Sequence, residues 1–526
     1  MNDSSRFWKV AAFLPLAAAA VSAPAQQPAF LLTDTAQQET GIWTFHHEHI
    51  LGTSLELSMR AANLADAERA EAAVLATFDR DDARLSTWRA DSEVSRWAKT
   101  RFEPVAVSPE LYDVLAAFDT WRQRTGGALD ASVEAATRLW QSATAEGRVP
   151  TDHEIAVAVE AMQQPHWTLD PAHRTATRVS DVPLALASFT KSYVSSRAAD
   201  AALGAGATGV MLNVGGDVIV RGNLTQLVAV ANPQAASENA AALEHVVVRD
   251  RAVATSGSYR RGFELEQATR ASAPQFSHLI DPRTAQPANH VLSSTVIARD
   301  AVTAGALATA FSILPVDESR TLAASTPDPD SDVQYLLVLA SGEEIRSASW
   351  PQSPGFRAAA FRPSAAPATP AAGLWNSAYE LSIDLTLPRI DDFRFRRPYV
   401  AVWVEDENRN PVRTIALWTE KPRYISDLRE WYRDDQRSSG MQGSDLWRTI
   451  SSATRPPGNY TLSWDGRDNE GKLVKAGKYT ICIEAAREHG SYDIERKELD
   501  LDSKPQLVSL PPGNELGAIT IDYHKR

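Results

Sequence analysis

Apolar residues recur at helical spacing early in the chain. Residues 66–80 place Ala70, Val74 and Phe78 on one face, the i, i+4 rhythm of an amphipathic helix. Residues 108–125 read as a bounded helix. Ser108 is the N-cap, Pro109 the first helical residue, Leu111, Val114, Leu115, Phe118 and Trp121 the stripe, and Gly126-Gly127 the stop. Residues 301–313 predict a helix of small residues. Elsewhere the period drops to two. Val210, Leu212 and Val214 alternate as a strand ending at Gly215-Gly216, and 218–220 continue after the turn. Residues 227–231, 245–248, 295–298 and 335–339 predict further strands. Strands and helices mixed in this way predict an α+β domain.

Residues 362–373 read RPSAAPATPAAG, a composition that cannot build a core and makes a semi-extended linker. After it the alternation is purely β. Tyr379, Leu381, Ile383 and Leu385 alternate, as do Val400, Val402 and Val404. Tyr460, Leu462 and Trp464 run into an Asp465-Gly466 turn, and Tyr479, Ile481 and Ile483 follow Gly477. Strands at this spacing predict an all-β, immunoglobulin-like sandwich. A length of 526 residues also exceeds what one core accommodates. The expected division is 1–25, 26–361, a linker at 362–373, and a β-sandwich domain at 374–526.

Composition narrows the function classes. An apolar fraction of 44% and a charged fraction of 23% are those of soluble globular protein. A net charge of -13 argues against a nucleic-acid groove and an anionic membrane surface. It leaves phosphate ligands open, because backbone N–H groups and one or two cations hold phosphate locally. At the start, Arg6 and Lys9 precede an apolar run over 10–21, then Ala23-Pro24-Ala25. That is the layout of a secretory signal, so residues 1–25 are expected to be removed and the protein to be periplasmic. The run is too short to span a bilayer, and no later segment reaches transmembrane length. Cys482 is the only cysteine, which excludes an intrachain disulfide and a cysteine metal site. His46-His47-Glu48-His49 lacks helical HExxH spacing and leads into the alternation of Leu55, Leu57 and Met59, so it reads as a strand lead-in.

Several short segments carry ligand chemistry. In order they are Leu51-Gly52-Thr53; Leu85-Ser86-Thr87-Trp88 with Asp91-Ser92-Glu93-Val94; Gly127-Ala128-Leu129-Asp130 with Leu139-Trp140; and Lys191-Ser192-Tyr193. Then come Asn213-Val214-Gly215-Gly216-Asp217; Ala254-Thr255-Ser256-Gly257-Ser258-Tyr259; His278-Leu279-Ile280-Asp281-Pro282-Arg283-Thr284; and Ala304-Gly305-Ala306-Leu307-Ala308-Thr309. Glycine-rich strand ends admit a ligand close to backbone. Thr255, Ser256 and Gly257 offer hydroxyls and N–H donors of the kind phosphate sites use. Lys191 can neutralise a phosphate, Trp88 offers a flat face to a ring, and His278 and Asp281 are a titratable pair. Each has a plainer reading by itself: a turn, a core aromatic, a turn starter.

Taken in order, these segments resemble the ApbE family, the FAD:protein FMN transferases, over about residues 46–345. The most specific parts are STW-x-x-DSE, the GG-D turn, ATSGSY and H-x-x-DPRT. The resemblance implies that 26–361 is an FAD-binding flavin transferase domain using FAD as substrate with Mg2+. It implies that a Thr or Ser hydroxyl of a target protein attacks the FMN-side phosphorus and AMP leaves. Phosphoryl transfer of this kind depends on charge neutralisation and positioning. Leu51, Trp88, Ala128, Leu129, Asp130, Lys191, Leu279 and Ile280 fall at FAD-contacting positions, with Thr255, Ser256 and Gly257 beside them. His278 falls at the position that takes the target hydroxyl proton, with Asp281 near it. Ser188, through its carbonyl, and Thr309 fall at metal-ligating positions.

The chain departs from the family pattern in places. The family's A-D-A-L-A-T has Gly305 at its aspartate, while Thr309 remains. In D-x-G-x-x-A-K-G-Y-x-x-D, both acidic positions are lost, as Ala185 and Ser196. Ala285 replaces the glycine that commonly follows DPRT. A hard cation prefers anionic oxygen, so a non-catalytic FAD-binding protein and an FAD pyrophosphate hydrolase stay open as alternatives. The partner implied is a target protein carrying a Ser/Thr flavinylation motif, which this chain lacks. The C-terminal stretch around Gly458, Trp464-Asp465-Gly466 and Gly477 resembles an uncharacterised periplasmic β-sandwich family found with flavin transferase domains. Asp465 and Asp468 there read as turn chemistry. Glu484, Arg487, Glu488 and His489 form a candidate surface for an envelope protein partner, or else an ordinary solvated strand end.

Overall fold

The computed structural model describes residues 41–351 and 373–526, apart from 236, 259–261, 265–274, 329–331, 391–395, 420–421, 440–450, 453, 456 and 489. The expected signal segment 1–25, residues 362–372 of the expected linker, Tyr259 and His489 lie outside the described residues.

The first part is built on an eight-stranded sheet whose spatial order follows the chain. Its strands are Gly41–Ile50, Thr53–Ala61, Gly209–Val214, Asp217–Gly222, Ala252–Gly257, Val291–Ala298, Gln334–Leu339 and Glu344–Arg346. All neighbours pair antiparallel. Period two sorts the side chains. Leu55, Leu57, Met59, Val210, Leu212, Val214, Ala252, Ala254, Val296 and Ala298 pack into the core shared with the helices. Met211, Val218, Val220, Val253, Ile297 and Leu336 join a second core with the hairpin of Gln226–Val230 and Glu244–Val248. A sheet covered on both faces explains why 209–214 contains almost no charged or polar residue.

The helix layer includes Leu64–Leu85, Pro109–Arg124, Ala187–Gly204 and Ala301–Phe311. Ser108 caps Pro109–Arg124, its Oγ accepting from the Leu111 N–H at 3.2 Å, and the five predicted stripe residues are all buried. Ala301–Phe311 is buried nearly all round, as a helix with no polar face must be. Its alanines and glycine let the Ala187–Gly204 helix approach closely.

The C-terminal part is a two-sheet sandwich. One sheet orders Gly458–Trp464, Tyr379–Leu387, Ile519–Lys525 and Gln506–Leu510; the other orders Ser451–Ser452, Pro411–Trp418, Tyr399–Glu405, Gly477–Ala486 and Tyr492–Leu501. Leu381, Ile383, Leu385, Val400, Val402, Val404, Ile481 and Ile483 fill the space between. Tyr399–Glu405 is buried on both faces, because a helical layer covers the outer one. Tyr399, Ala401 and Trp403 pack there against Ile425, Leu428 and Trp431.

That layer removes Glu484 from the candidate partner surface at the end of Gly477–Ala486. Glu484 is fully buried. Its carboxylate accepts from the N–H groups of Glu430 at 3.0 Å and Trp431 at 2.9 Å, and from Tyr492 Oη at 2.7 Å. It serves the orphan donors at the start of the Arg429–Ser439 helix from a neighbouring strand. Arg487 Nε donates to buried Glu515 at 3.0 Å. Asp468 Oδ1 accepts from Glu470 N–H and Lys472 N–H, the turn chemistry expected of it.

The two parts touch through specific bonds. Arg397 Nη1 lies 2.6 Å from Glu48 Oε2, both largely buried. The Glu238 N–H donates to the Thr461 carbonyl at 2.8 Å. Asn239 bonds Ser463 twice, Nδ2 donating to its carbonyl at 2.7 Å and Oδ1 accepting from its N–H at 2.9 Å.

Candidate active site

Two tight turns lie side by side at one end of the main sheet. Leu51 (φ 49°) and Gly52 (φ 78°) close the first hairpin between Ile50 and Thr53. Gly215 (φ 57°) and Gly216 (φ 97°) close the next between Val214 and Asp217. Both have the positive φ pair of a two-residue hairpin turn. The Gly215 N–H donates to the Ser54 carbonyl at 3.1 Å, and a Cβ on Gly215 would fall 2.5 Å from Thr53 Oγ1. Glycine is therefore required twice over at 215, by backbone angle and by space.

Asp217, just past that turn, pairs with Lys191 at 2.9 Å. Its other oxygen accepts from the Thr255 N–H at 3.4 Å. Thr255 Oγ1 and Thr295 Oγ1 are 3.0 Å apart across the ladder. Ser256 points to the opposite face, where its Oγ lies 3.4 Å from Thr309 Oγ1. Thr309 Oγ1 also donates toward the carbonyls of Gly305 at 3.1 Å and Ser188 at 3.4 Å. Ser188, Ser256 and Thr309 thus meet near the start of the Ala187–Gly204 helix, with Lys191 one turn along it and tied through Asp217 to the Thr255 backbone; among the described residues no side chain caps that helix start. Gly257 ends the same strand, paired with Ser293.

A second cluster adjoins the first, linked by a bond from the Ala185 N–H to the Ala131 carbonyl at 2.7 Å. A cavity of about 530 Å³ is lined by Asp119, Arg122, Gly127, Asp130, Pro282 and Arg283, among others. Asp130 Oδ1 accepts from the Ser132 N–H at 2.8 Å, and Oδ2 lies 2.6 Å from Arg122 Nε. Ala128 and Leu129 are buried in the helix-side core, between Gly127 and Asp130, which line the cavity. Burial raises the carboxyl pKa of Asp119 above its ordinary value. Arg122 is a functional candidate that the sequence pattern did not single out, since in the last turn of a helix a cation reads as dipole complement.

The H-x-x-DPRT segment forms the far wall. Both Asp281 oxygens are held by Arg283, Nε at 2.9 Å from Oδ1 and Nη2 at 2.8 Å from Oδ2. Its carbonyl accepts from the Ala285 N–H at 2.8 Å. Asp281 therefore builds the turn that presents Arg283. Ala285 has φ 54°, which accounts for the glycine the family commonly has there, and its carbonyl accepts from Trp140 Nε1 at 2.8 Å. Ile280 is buried, while His278 and Leu279 are half-buried. Trp88 is 95% exposed, standing clear of the core on the loop after Leu64–Leu85.

The ApbE family profile matches residues 51–333, a stretch that runs from the first tight turn past Thr309. The chain belongs to the ApbE family. The FAD:protein FMN transferase of Vibrio cholerae is 27% identical over 289 residues, covering 53% of this chain and 84% of the relative. That of Klebsiella pneumoniae is 27% identical over 321 residues, covering 58% and 86%. The crystal structure of the ApbE protein from Thermotoga maritima covers 59% of this chain and 97% of its own, with 27% identity and a TM-score of 0.50. Residues 380–518 match a second family, described as a predicted periplasmic protein, DUF2271.

An ApbE domain with magnesium calls for anionic ligands, and the residues here do not supply them. Ser188 gives a carbonyl, Thr309 a hydroxyl, and Gly305 no side chain. Asp217 is committed to Lys191, and Asp300 caps the start of Ala301–Phe311 through the Thr303 N–H at 2.7 Å. Among the described residues no group of three or more His, Cys, Asp or Glu converges. The set is neutral where a hard dication prefers carboxylate.

Proposed function

We propose that this chain transfers FMN from FAD to a Ser or Thr hydroxyl of another protein in the periplasm. The observation that carries the reading is the grouping of Lys191, Ser256 and Thr309 near one sheet end, beside the 530 Å³ cavity and inside the ApbE-matched stretch. Relatives named FAD:protein FMN transferase, and the DUF2271 match to a predicted periplasmic family, support it. In this reading Trp88 stacks on a ring of FAD. Leu51, the 128–130 backbone, Leu279 and Ile280 border the ligand, and Lys191 neutralises the pyrophosphate.

The target hydroxyl oxygen attacks the FMN-side phosphorus, and the phosphorus–oxygen bond to AMP breaks. FMN stays on the target as a phosphodiester, AMP leaves with the pyrophosphate bridging oxygen, and the hydroxyl proton passes to His278. A neutral imidazole is suited to that proton near neutral pH. Asp281 acts indirectly, by holding Arg283 against the cavity. The partner is a protein with a short Ser/Thr acceptor motif.

The test is incubation of the exported protein with FAD and an acceptor domain, followed by intact mass and nucleotide analysis. Gain of one FMN less water on the acceptor, with one AMP released, is the expected result. Free FMN plus AMP with an unmodified acceptor would make the chain a pyrophosphate hydrolase instead, and unchanged FAD a binder.

A further inference from the structure

Gly305 lies where the helices Ala187–Gly204 and Ala301–Phe311 cross. A Cβ there would fall 2.5 Å from Ser192 Oγ, 3.3 Å from Ser192 Cβ and 3.4 Å from Phe189 Cβ. Turning the Ser192 hydroxyl away leaves its Cβ still tight against any new side chain. Ser192 is only 3% exposed, so it has nowhere to withdraw. The two departures from the family pattern, serine at 192 and glycine at 305, are thus one packing change: the first occupies the space that the second vacates.

The consequence is the character of the wall. Ser188 and Ser192, one helical turn apart, face Gly305 and Thr309, also one turn apart. Ser256 reaches Thr309 from the sheet. Ser294, directly opposite Ser256 in the ladder, has a buried Oγ with no hydrogen-bond partner among the described residues. Every oxygen in this group is neutral, and the nearby Lys191 ammonium, less than one turn from both Ser188 and Ser192 on the same helix, is held by Asp217 at 2.9 Å. Hydroxyl donors beside an ammonium suit an anion directly; they are a poor shell for a dication.

We propose that the site takes the FAD pyrophosphate directly, on Lys191 and the Ser256 and Thr309 hydroxyls, without a protein-held divalent cation, and that Ser192 enforces this by filling the place of a carboxylate at 305. This rests on the reading of the cluster as the FAD site.

The test is calorimetric titration of the full exported chain with FAD, once in EDTA and once in magnesium, for the parent and for S192G/G305D. The parent is expected to bind FAD with affinities that agree within about twofold in the two buffers. The double variant gains a carboxylate that repels pyrophosphate, so its affinity in EDTA should drop about tenfold or more and return with magnesium. G305D alone should melt below both, since the collision with Ser192 remains, and that non-additivity reports the coupling. A parent affinity that falls tenfold in EDTA overturns the proposal, as does a double variant no more magnesium-dependent than the parent. If the double variant does not fold, the parent comparison alone decides. FAD binding in neither buffer overturns the flavin reading itself, whereas magnesium-dependent binding overturns only this inference.

Discussion

Lys191 Nζ sits 2.9 Å from Asp217 Oδ2, joining the second turn of a helix to the first residue after a glycine hairpin. The lysine is therefore held at the sheet end but not saturated, and Asp217 competes with any phosphate for it. Lys191→Ala should weaken FAD binding about 10- to 100-fold, the scale of a charge-assisted bond, partly because Asp217 is left facing the ligand. Asp217→Asn should bind FAD at least as tightly as the parent. Titration of both variants checks this; equal losses would mean that the pair positions the site as a unit.

Trp88, at 95% exposure, contributes no core. Trp88→Ala should leave the unfolding free energy within about 0.5 kcal/mol of the parent, while FAD binding weakens by about 1–3 kcal/mol for a lost ring stack. Fluorescence titration and a denaturant melt on the same sample separate the two. A melt that shifts with no change in binding would return Trp88 to a packing role.

Leu51 holds φ 49° in a two-residue turn, a backbone state that disfavours a bulky side chain by about 1–2 kcal/mol. Asparagine tolerates it far better. Leu51→Asn should raise stability by up to about 1 kcal/mol after the loss of half-buried packing, and lower FAD affinity. Strain retained at a ligand edge is the pattern expected of a functional site. Loss of stability with unchanged affinity would make Leu51 a plain core residue.

His278→Ala should slow transfer about 10²- to 10⁴-fold while FAD affinity stays similar. The acid limb of the rate profile, set by imidazole protonation, should disappear with it. A variant that keeps both its rate and its acid limb would take the proton elsewhere.

In the sandwich, burial and the adjacent Glu405 carboxylate push Asp434 up to about 6. The folded state therefore holds a proton that the unfolded chain releases at an ordinary aspartate pKa. Its stabilising contribution is complete below about pH 4 and is lost as pH rises through about 6. The melting temperature of this part should fall between about pH 5 and about pH 7.5, and Asp434→Asn should flatten that fall. Scanning calorimetry across the range is the measurement; identical profiles for both proteins would mean that Arg437, 2.9 Å from Asp434, already compensates the charge.

The strands and helices of the main sheet were legible because their apolar residues recur at period two or at helical spacing, as Val210, Leu212 and Val214 do toward the helices. The Pro109–Arg124 helix carried its own cap and stop. What could not be read was anything requiring a partner distant in sequence. Val400, Val402 and Val404 look like one buried face, yet Tyr399, Ala401 and Trp403 are buried as well. Their cover is a helix so rich in Arg, Asp and Glu that its composition suggests solvent. Glu484 looked like surface for the same reason, since its helix partner lies some fifty residues back. At the site, ordered motifs named the residues, but the interlock of Ser192 with Gly305 and the engagement of Asp281 by Arg283 are matters of three-dimensional neighbourhood.

Asn239 bears on how the protein must be handled. Gly458–Trp464 is an outer strand of its sheet, and Asn239 and Glu238 occupy its backbone groups at Thr461 and Ser463. An outer strand stripped of such cover templates further pairing. Cutting the chain between its two parts would strip it. The excised sandwich should then self-associate edge to edge, and crystallisation or display of either half should begin from the intact polypeptide.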